Sequence, residues 1–208
     1  IGFAPDADFP IINAEKGIAI LRFTTTKLDE DEQLHSFQAG TRTNMVPDLA
    51  TAVVQLKHDT LENDFEQFKK EHNLQGSVAF EHDVVVLTLE GKSAHAMEPN
   101  EGVNAGVYLA EFLKGIVTTS GSKTFVDFVS TSFLNDSRGH AFALNYQDEM
   151  SGDTTLNAGI LSFDSAVGGT VDVSLRYSVS FEFDKNVTKC QTLLRENSIS
   201  VDVVSNST

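Results

Sequence analysis

The sequence has no tryptophan, one cysteine and only four prolines in 208 residues, and it is short of basic side chains. A single cysteine, Cys190, excludes an internal disulfide and any cysteine-based metal cluster. A reducing, cytoplasmic setting is therefore expected. Fifteen Lys and Arg stand against thirty Asp and Glu, a formal net charge of −15. A chain this acidic repels phosphate backbones and anionic membrane surfaces, so neither nucleic acid nor membrane is expected as a partner. No apolar run reaches membrane-spanning length, and no basic segment followed by an apolar one marks a secretory leader. An initiating Met is missing as well: the chain opens on Ile1, as a fragment or processed product would.

What is present describes a folded domain. Hydrophobic residues make up 40% and charged residues 22%, enough to bury a core as one large or two small domains. Residues 1–10, with Pro5, Pro10, Asp6 and Asp8, read as an extended connector. Strand patterns follow at 17–26, 34–39 and 50–56, then an amphipathic helix at 61–70 with Leu61, Phe65 and Phe68 on one stripe. Residues 77–80 and 84–89 read as a hairpin around Glu81-His82-Asp83. Helical spacing of Val103, Val107, Ala110, Phe112 and Leu113 continues to about Ile116, and a short helix is expected at 125–134. A polar loop over 135–153 leads to strands at 158–165 and 169–183. The second of these alternates Val171, Val173, Leu175, Tyr177 and Val179 with Asp172, Ser174, Arg176 and Ser178. A helix at 187–196, led by a capping segment at 184–186, and a strand at 199–204 complete the chain. Hairpins mixed with helices, without regular strand-helix-strand repetition, predict an α+β fold with helices packed on a largely antiparallel sheet.

The stretch Gly91-Lys92-Ser93-Ala94-His95-Ala96-Met97-Glu98-Pro99 joins the strand at 84–89 to the helix beginning near 103. His95 thus sits on a strand-to-helix connection with small neighbours, where a scaffold presents side chains to a ligand. Taken alone it also reads as a loop histidine bonded to backbone. His35, His58, His72 and His82 lie among polar residues without metal-ligand spacing, and His140 has no assigned role. Asn44, in Arg42-Thr43-Asn44-Met45-Val46-Pro47, is a turn former or a ligand contact in equal measure. Arg176 projects from a polar strand face, where a surface ion pair is its ordinary fate.

The nine residues from Gly91 to Pro99, with Gly102-Val103-Asn104-Ala105-Gly106 behind them, resemble the lid-domain signature of the M20 family of zinc metallopeptidases, nearest its PepV-type dipeptidase branch. Other segments extend the likeness. Pro5-Asp6-Ala7-Asp8-Phe9-Pro10 resembles the family segment whose first Asp ligates one of two zinc ions. Asn13-Ala14-Glu15-Lys16-Gly17 resembles the crossover into the lid. Val173-Ser174-Leu175-Arg176-Tyr177-Ser178 resembles the lid strand whose Arg grips the substrate's terminal carboxylate, with Ser174 and Ser178 where the family has Asn and Pro. The family's His-x-Asp motif, Glu-Glu pair and C-terminal ligand His do not occur in this sequence.

The resemblance implies a ferredoxin-like lid expanded to two related halves at 17–208, with 1–16 as the end of the catalytic domain and connector. It implies His95 as oxyanion donor, Asn44 and Arg176 as substrate-binding residues, and Asp6 as a metal ligand. Two zinc ions would serve the intact enzyme, with none held stably by this fragment, which alone would be inactive. A dipeptide substrate and a catalytic domain of the same chain are the implied partners. A monomer is expected, with lid-mediated dimerisation as the alternative. A non-catalytic amino-acid-binding or dimerisation module is the competing function.

Overall fold

Apolar side chains at every second position of residues 17–25 make the first strand, β1 (Gly17–Thr25), which buries Ala19, Leu21 and Phe23 on one face. The structure, a computed structural model, describes residues 15–26, 28–56 and 60–207. In chain order β1 is followed by β2 (Leu34–Ala39), β3 (Leu49–Val54), α1 (Leu61–His72), β4 (Gln75–Glu81) and β5 (Val84–Glu90). Then come α2 (Ala105–Lys114), α3 (Ser120–Phe133), β6 (Gln147–Asp148), β7 (Gly152–Asp153), β8 (Thr155–Asp164) and β9 (Gly168–Tyr177). The chain closes with α4 (Phe183–Arg195) and β10 (Ile199–Ser207).

Eight strands form one antiparallel sheet in the order β10-β1-β9-β8-β2-β3-β5-β4, while β6 and β7 pair on their own. Register carries one apolar row across that sheet. Val201, Phe23, Val171, Leu161, Ala39, Ala50 and Leu89 stand opposite one another in turn, and all are buried. The helices cover that face: α1 lies by β4, α2 over β2, β3 and β5, α3 over β1 and β9, and α4 by β10. Phe23 is ringed by Phe142 at 4.8 Å, Phe128 at 5.6 Å and Phe133 at 6.1 Å. The opposite face is polar where the strands are longest, with Arg22 clamping both Asp172 oxygens at 2.6 and 2.7 Å and Gln38 donating to Ser162. The α+β class with a large antiparallel sheet is therefore as expected. Among the described residues no helix is long and apolar enough to cross a membrane.

Three boundaries depart furthest from the sequence expectation. The helix expected from residue 125 starts at Ser120, because distant side chains cap its polar first turn. Glu32 accepts from the Gly121 and Ser122 amides at 2.8 Å and from the Ser122 hydroxyl, and Asp29 accepts from the Ser120 amide. An acid over a helix N-terminus satisfies donors that the helix itself leaves open. The strand expected to run to residue 183 ends at Tyr177. Ser178 bonds the Gly152 carbonyl and a turn follows, so Val179, expected inward, is exposed. Stacking of Tyr177 on Phe181 and Phe183 then draws 183 into α4. The expected capping residues 184–186 consequently lie inside α4, whose N-cap position is Glu182.

Candidate functional site

The connection from β5 to α2 is held at both ends. Lys92 and Val103 exchange backbone hydrogen bonds of 2.9 and 2.8 Å, closing residues 92–103 into a loop. Asn104 caps α2 by accepting from the Val107 amide at 3.2 Å, and its own amide donates to the Ala158 carbonyl at 2.8 Å. The β2–β3 loop lies alongside as an extra strand: Val46 N donates to Ala94 O at 2.8 Å and Ala96 N to Asn44 O at 2.9 Å. His95 therefore pairs with Met45 and Ala96 with Asn44, and the side chains of Asn44 and His95 are exposed. The Met97 amide donates to His95 Nδ1 at 3.3 Å. That bond places the proton of the neutral ring on Nε2, which faces away as a donor.

Residues the sequence reading passed over set this loop in place. Asn157, buried in β8, donates through its side-chain amide to the Thr43 carbonyl at 3.0 Å and the Met45 carbonyl at 2.9 Å, straddling Asn44. The loop comes so close that a Cβ on Gly159 would lie 2.5 Å from Thr43 O. Gly40, at φ +69°, faces the Gly159 carbonyl from the other side. Thr155 Oγ1 donates to the Ala96 carbonyl at 3.2 Å. The signal for these positions is a buried hydroxyl and a buried amide alternating with Leu156 and Ala158 in an otherwise apolar strand.

Thr155 stands opposite Arg176 in the β8–β9 register. One hydrogen bond and one ladder pair thus connect His95's neighbour Ala96 to Arg176, so His95, Asn44 and Arg176 gather at one end of the sheet. Around Arg176 lie two further cations. Lys16 donates to the Asp153 backbone carbonyl, and Arg138 reaches the Thr154 carbonyl at 3.3 Å, with the Asp153 carboxylate 3.9 Å away. Burial pushes the Lys16 amine below its usual pKa and Arg138 and Arg176 push the same way, against the opposing pull of Asp153 and Glu98. Three buried side-chain polar atoms among the described residues lack a hydrogen-bond partner, and two of them, Thr154 Oγ1 and Arg176 Nε, lie here.

The remaining candidates separate from this cluster. Asp6 lies outside the described residues, as does His58. Among the described residues no three His, Cys, Asp or Glu side chains are grouped to hold a metal ion. His140 bonds Asp136 at 3.1 Å on the surface, and His72 packs against Phe68 and Tyr108. The Cys190 thiol is buried and pushed up to about 12, which removes it as a nucleophile. Asp148 is held well below the usual carboxylate range by the Ser151 amide, with Ser180 and Ser151 hydroxyls adding to it. It ties the 148–151 turn to residue 180.

No family model matches the sequence. Curated relatives do. A Staphylococcus aureus (strain MRSA252) protein named "Putative dipeptidase" is 39% identical over 192 residues, covering 89% of this chain and 41% of the relative. A Staphylococcus haemolyticus protein of the same description is 40% identical over 195 residues, covering 90% of this chain and again 41% of the relative. The chain spans about two fifths of the length of these relatives. Among solved structures, the aminoacylhistidine dipeptidase of Vibrio alginolyticus aligns over 94% of this chain at 11% identity with a TM-score of 0.38, too distant to bear on the fold. The sequence similarity alone, running through nearly the whole chain, makes this protein a relative of proteins that carry the dipeptidase name.

Proposed function

We propose that this chain is the substrate-capping lid of an M20-type, PepV-like cytoplasmic zinc dipeptidase. On this reading, residues 17–208 are a ferredoxin-like domain doubled within one sheet and residues 1–16 are the connector from the catalytic domain. The observation that carries it is the gathering of His95, Asn44 and Arg176 at one end of the sheet, through the Met45–His95 bridge and the Ala96–Thr155–Arg176 connection. The strand order supports the doubled domain. β1, α3, β8, β9, α4 and β10 run strand-helix-strand-strand-helix-strand, and β3, α1, β4, β5 and α2, with β2 as closing strand, repeat that arrangement in the same sheet.

The chemistry follows from each side chain. Arg176 presents a planar fork of donors to the substrate's terminal carboxylate, which two carboxylate oxygens match. Asn44 offers an exposed amide beside it. His95, with its proton on Nε2, donates to the oxygen on which negative charge develops as the peptide carbonyl becomes tetrahedral. The donor matters because it is held before the charge appears, by the Met97 amide on Nδ1 and the Met45 bridge. Closing the lid excludes water and brings all three onto one small ligand. Polarisation of the carbonyl and activation of water belong to zinc ions on the catalytic domain. Asp6, the one ligand candidate in this chain, would reach them from the connector.

Grafting this chain in place of the matching 192-residue segment of the Staphylococcus aureus relative, with zinc added and a dipeptide supplied, tests the proposal. His95→Ala in the graft should lower turnover by roughly a hundredfold or more. An active graft that keeps full turnover without His95 would end this assignment.

A further inference from the structure

The three cations near His95 exceed what a single terminal carboxylate needs. We infer that Lys16, Arg138 and Arg176 together form a dianion-binding site, which selects a peptide whose C-terminal residue carries a second carboxylate on its side chain. The inference rests on reading Arg176 as the carboxylate clamp and deepens it by naming the substrate class.

Geometry carries it. Three consecutive residues collect the three cations: Asp153 receives Lys16 on its carbonyl, Thr154 receives Arg138 on its carbonyl, and Thr155 stands opposite Arg176. Among the described residues, none of the cations has a carboxylate oxygen within hydrogen-bond distance. Lys16 meets a backbone oxygen rather than a carboxylate, and the Asp153 carboxylate is 3.9 Å from Arg138, beyond hydrogen-bond reach. A guanidinium has five N–H donors, and Arg138 directs one of them, at 3.3 Å, to Thr154. The two orphaned donors complete the pattern. Arg176 Nε, on β9, and Thr154 Oγ1, just ahead of the neighbouring β8, are buried without partners, an arrangement that an incoming oxyanion would satisfy. In a chain of net charge −15, a half-buried group of three cations facing two anions, Glu98 and Asp153, is a local reversal of sign. One carboxylate on Arg176 leaves Arg138 and Lys16 to take a second.

Titration calorimetry of the 208-residue chain with N-acetyl-aspartate, a dianion, and N-acetyl-alanine, a monoanion, at neutral pH tests the site. The dianion should bind at least tenfold more tightly. Arg138→Gln should bring the two ligands within about twofold by weakening only the dianion, and Arg176→Gln should weaken both. Arg138→Lys, which keeps the charge, should keep the preference and guards against a folding defect in the Gln variant. Equal affinities in the wild-type chain, heat from neither ligand, or an unchanged preference in Arg138→Gln would each overturn the inference. Because this readout is binding and not turnover, it stands or falls separately from the graft assay. An active graft with no dianion preference would refute only the site, and a dianion preference with an inactive graft would refute only the lid.

Discussion

The two halves of the sheet repeat one strand order and differ in what fills them. In the half built from β10, β1, β9 and β8, Phe128 and Phe133 of α3 interlock with Phe23 and Phe142, and Phe125 of α3 packs on Phe163. In the half built from β2, β3, β5 and β4, the aromatics are Phe65, Phe68 and Phe112, with Phe37 of β2 turned onto Phe125 of α3, and the outer strand β4 leaves Phe80 exposed. The halves also divide the site. The aromatic half contributes Arg176 with Lys16 and Arg138, while the other contributes the two loops that carry Asn44 and His95. They meet through a short ladder, Ser36–Ala39 against Leu161–Asp164, and through Asn157, which reaches from β8 into the Asn44 loop. On the proposed reading, the aromatic half holds the cations and the seam positions the loop that carries His95.

The comparison breaks hardest at Phe23. Phe23→Ala opens a cavity beneath three other rings and should cost about 3–5 kcal/mol. Phe65→Ala, also fully buried but with fewer aromatic neighbours, should fall at the low end of that range. Urea unfolding of both variants measures the difference, and equal losses would show that the halves are packed alike.

Glu32 gives the next effect, since it lies between β1 and β2 and so on the connection between the halves. Burial pushes its carboxyl up, but the Ser122 hydroxyl and the Asp29 and Ser122 amides outweigh it and hold the pKa at about 2, against an ordinary 4.5. A carboxylate whose pKa falls on folding stabilises fully above its unfolded value. That contribution, on the order of 3 kcal/mol, disappears as pH falls from about 4.5 towards 2. Thermal melts across that window should show the loss in the wild-type chain, and Glu32→Gln should remove the share due to Glu32 while leaving that of Asp148 and Asp136, whose carboxyls are also held below their usual range.

The seam gives the smallest change in stability and the most local one. Asn157→Ala leaves the Thr43 and Met45 carbonyls without their donor and should cost about 1–3 kcal/mol. Amide exchange at Val46 and Ala96, whose hydrogen bonds tie the two loops, should quicken more than exchange in β1 or β9. Uniform quickening would mean that the seam is not a separate unit.

Apolar, β-branched runs revealed the strands read at 17–26 and 84–89, within one residue of their observed ends, because such side chains fit a pleated, half-buried surface. The amphipathic stripe placed α1 within two residues of its end, and the motif around His95 was visible as a strand-to-helix connection. The start of α3 was not visible, since its polar first turn is capped by Asp29 and Glu32, some ninety residues earlier. Nor was the nesting of one half of the sheet between β1 and α3, which depends on pairings remote in sequence.

Local chemistry, then, determined which segments extend or coil and which residue types could bind: pleat, turn and helix period are properties of neighbours along the chain. Only the tertiary structure decided that Lys16, Arg138 and Arg176 converge on residues 153–155 beside His95. Their proximity is set by β8–β9 register and by side chains packed across more than a hundred positions, and no local pattern records it.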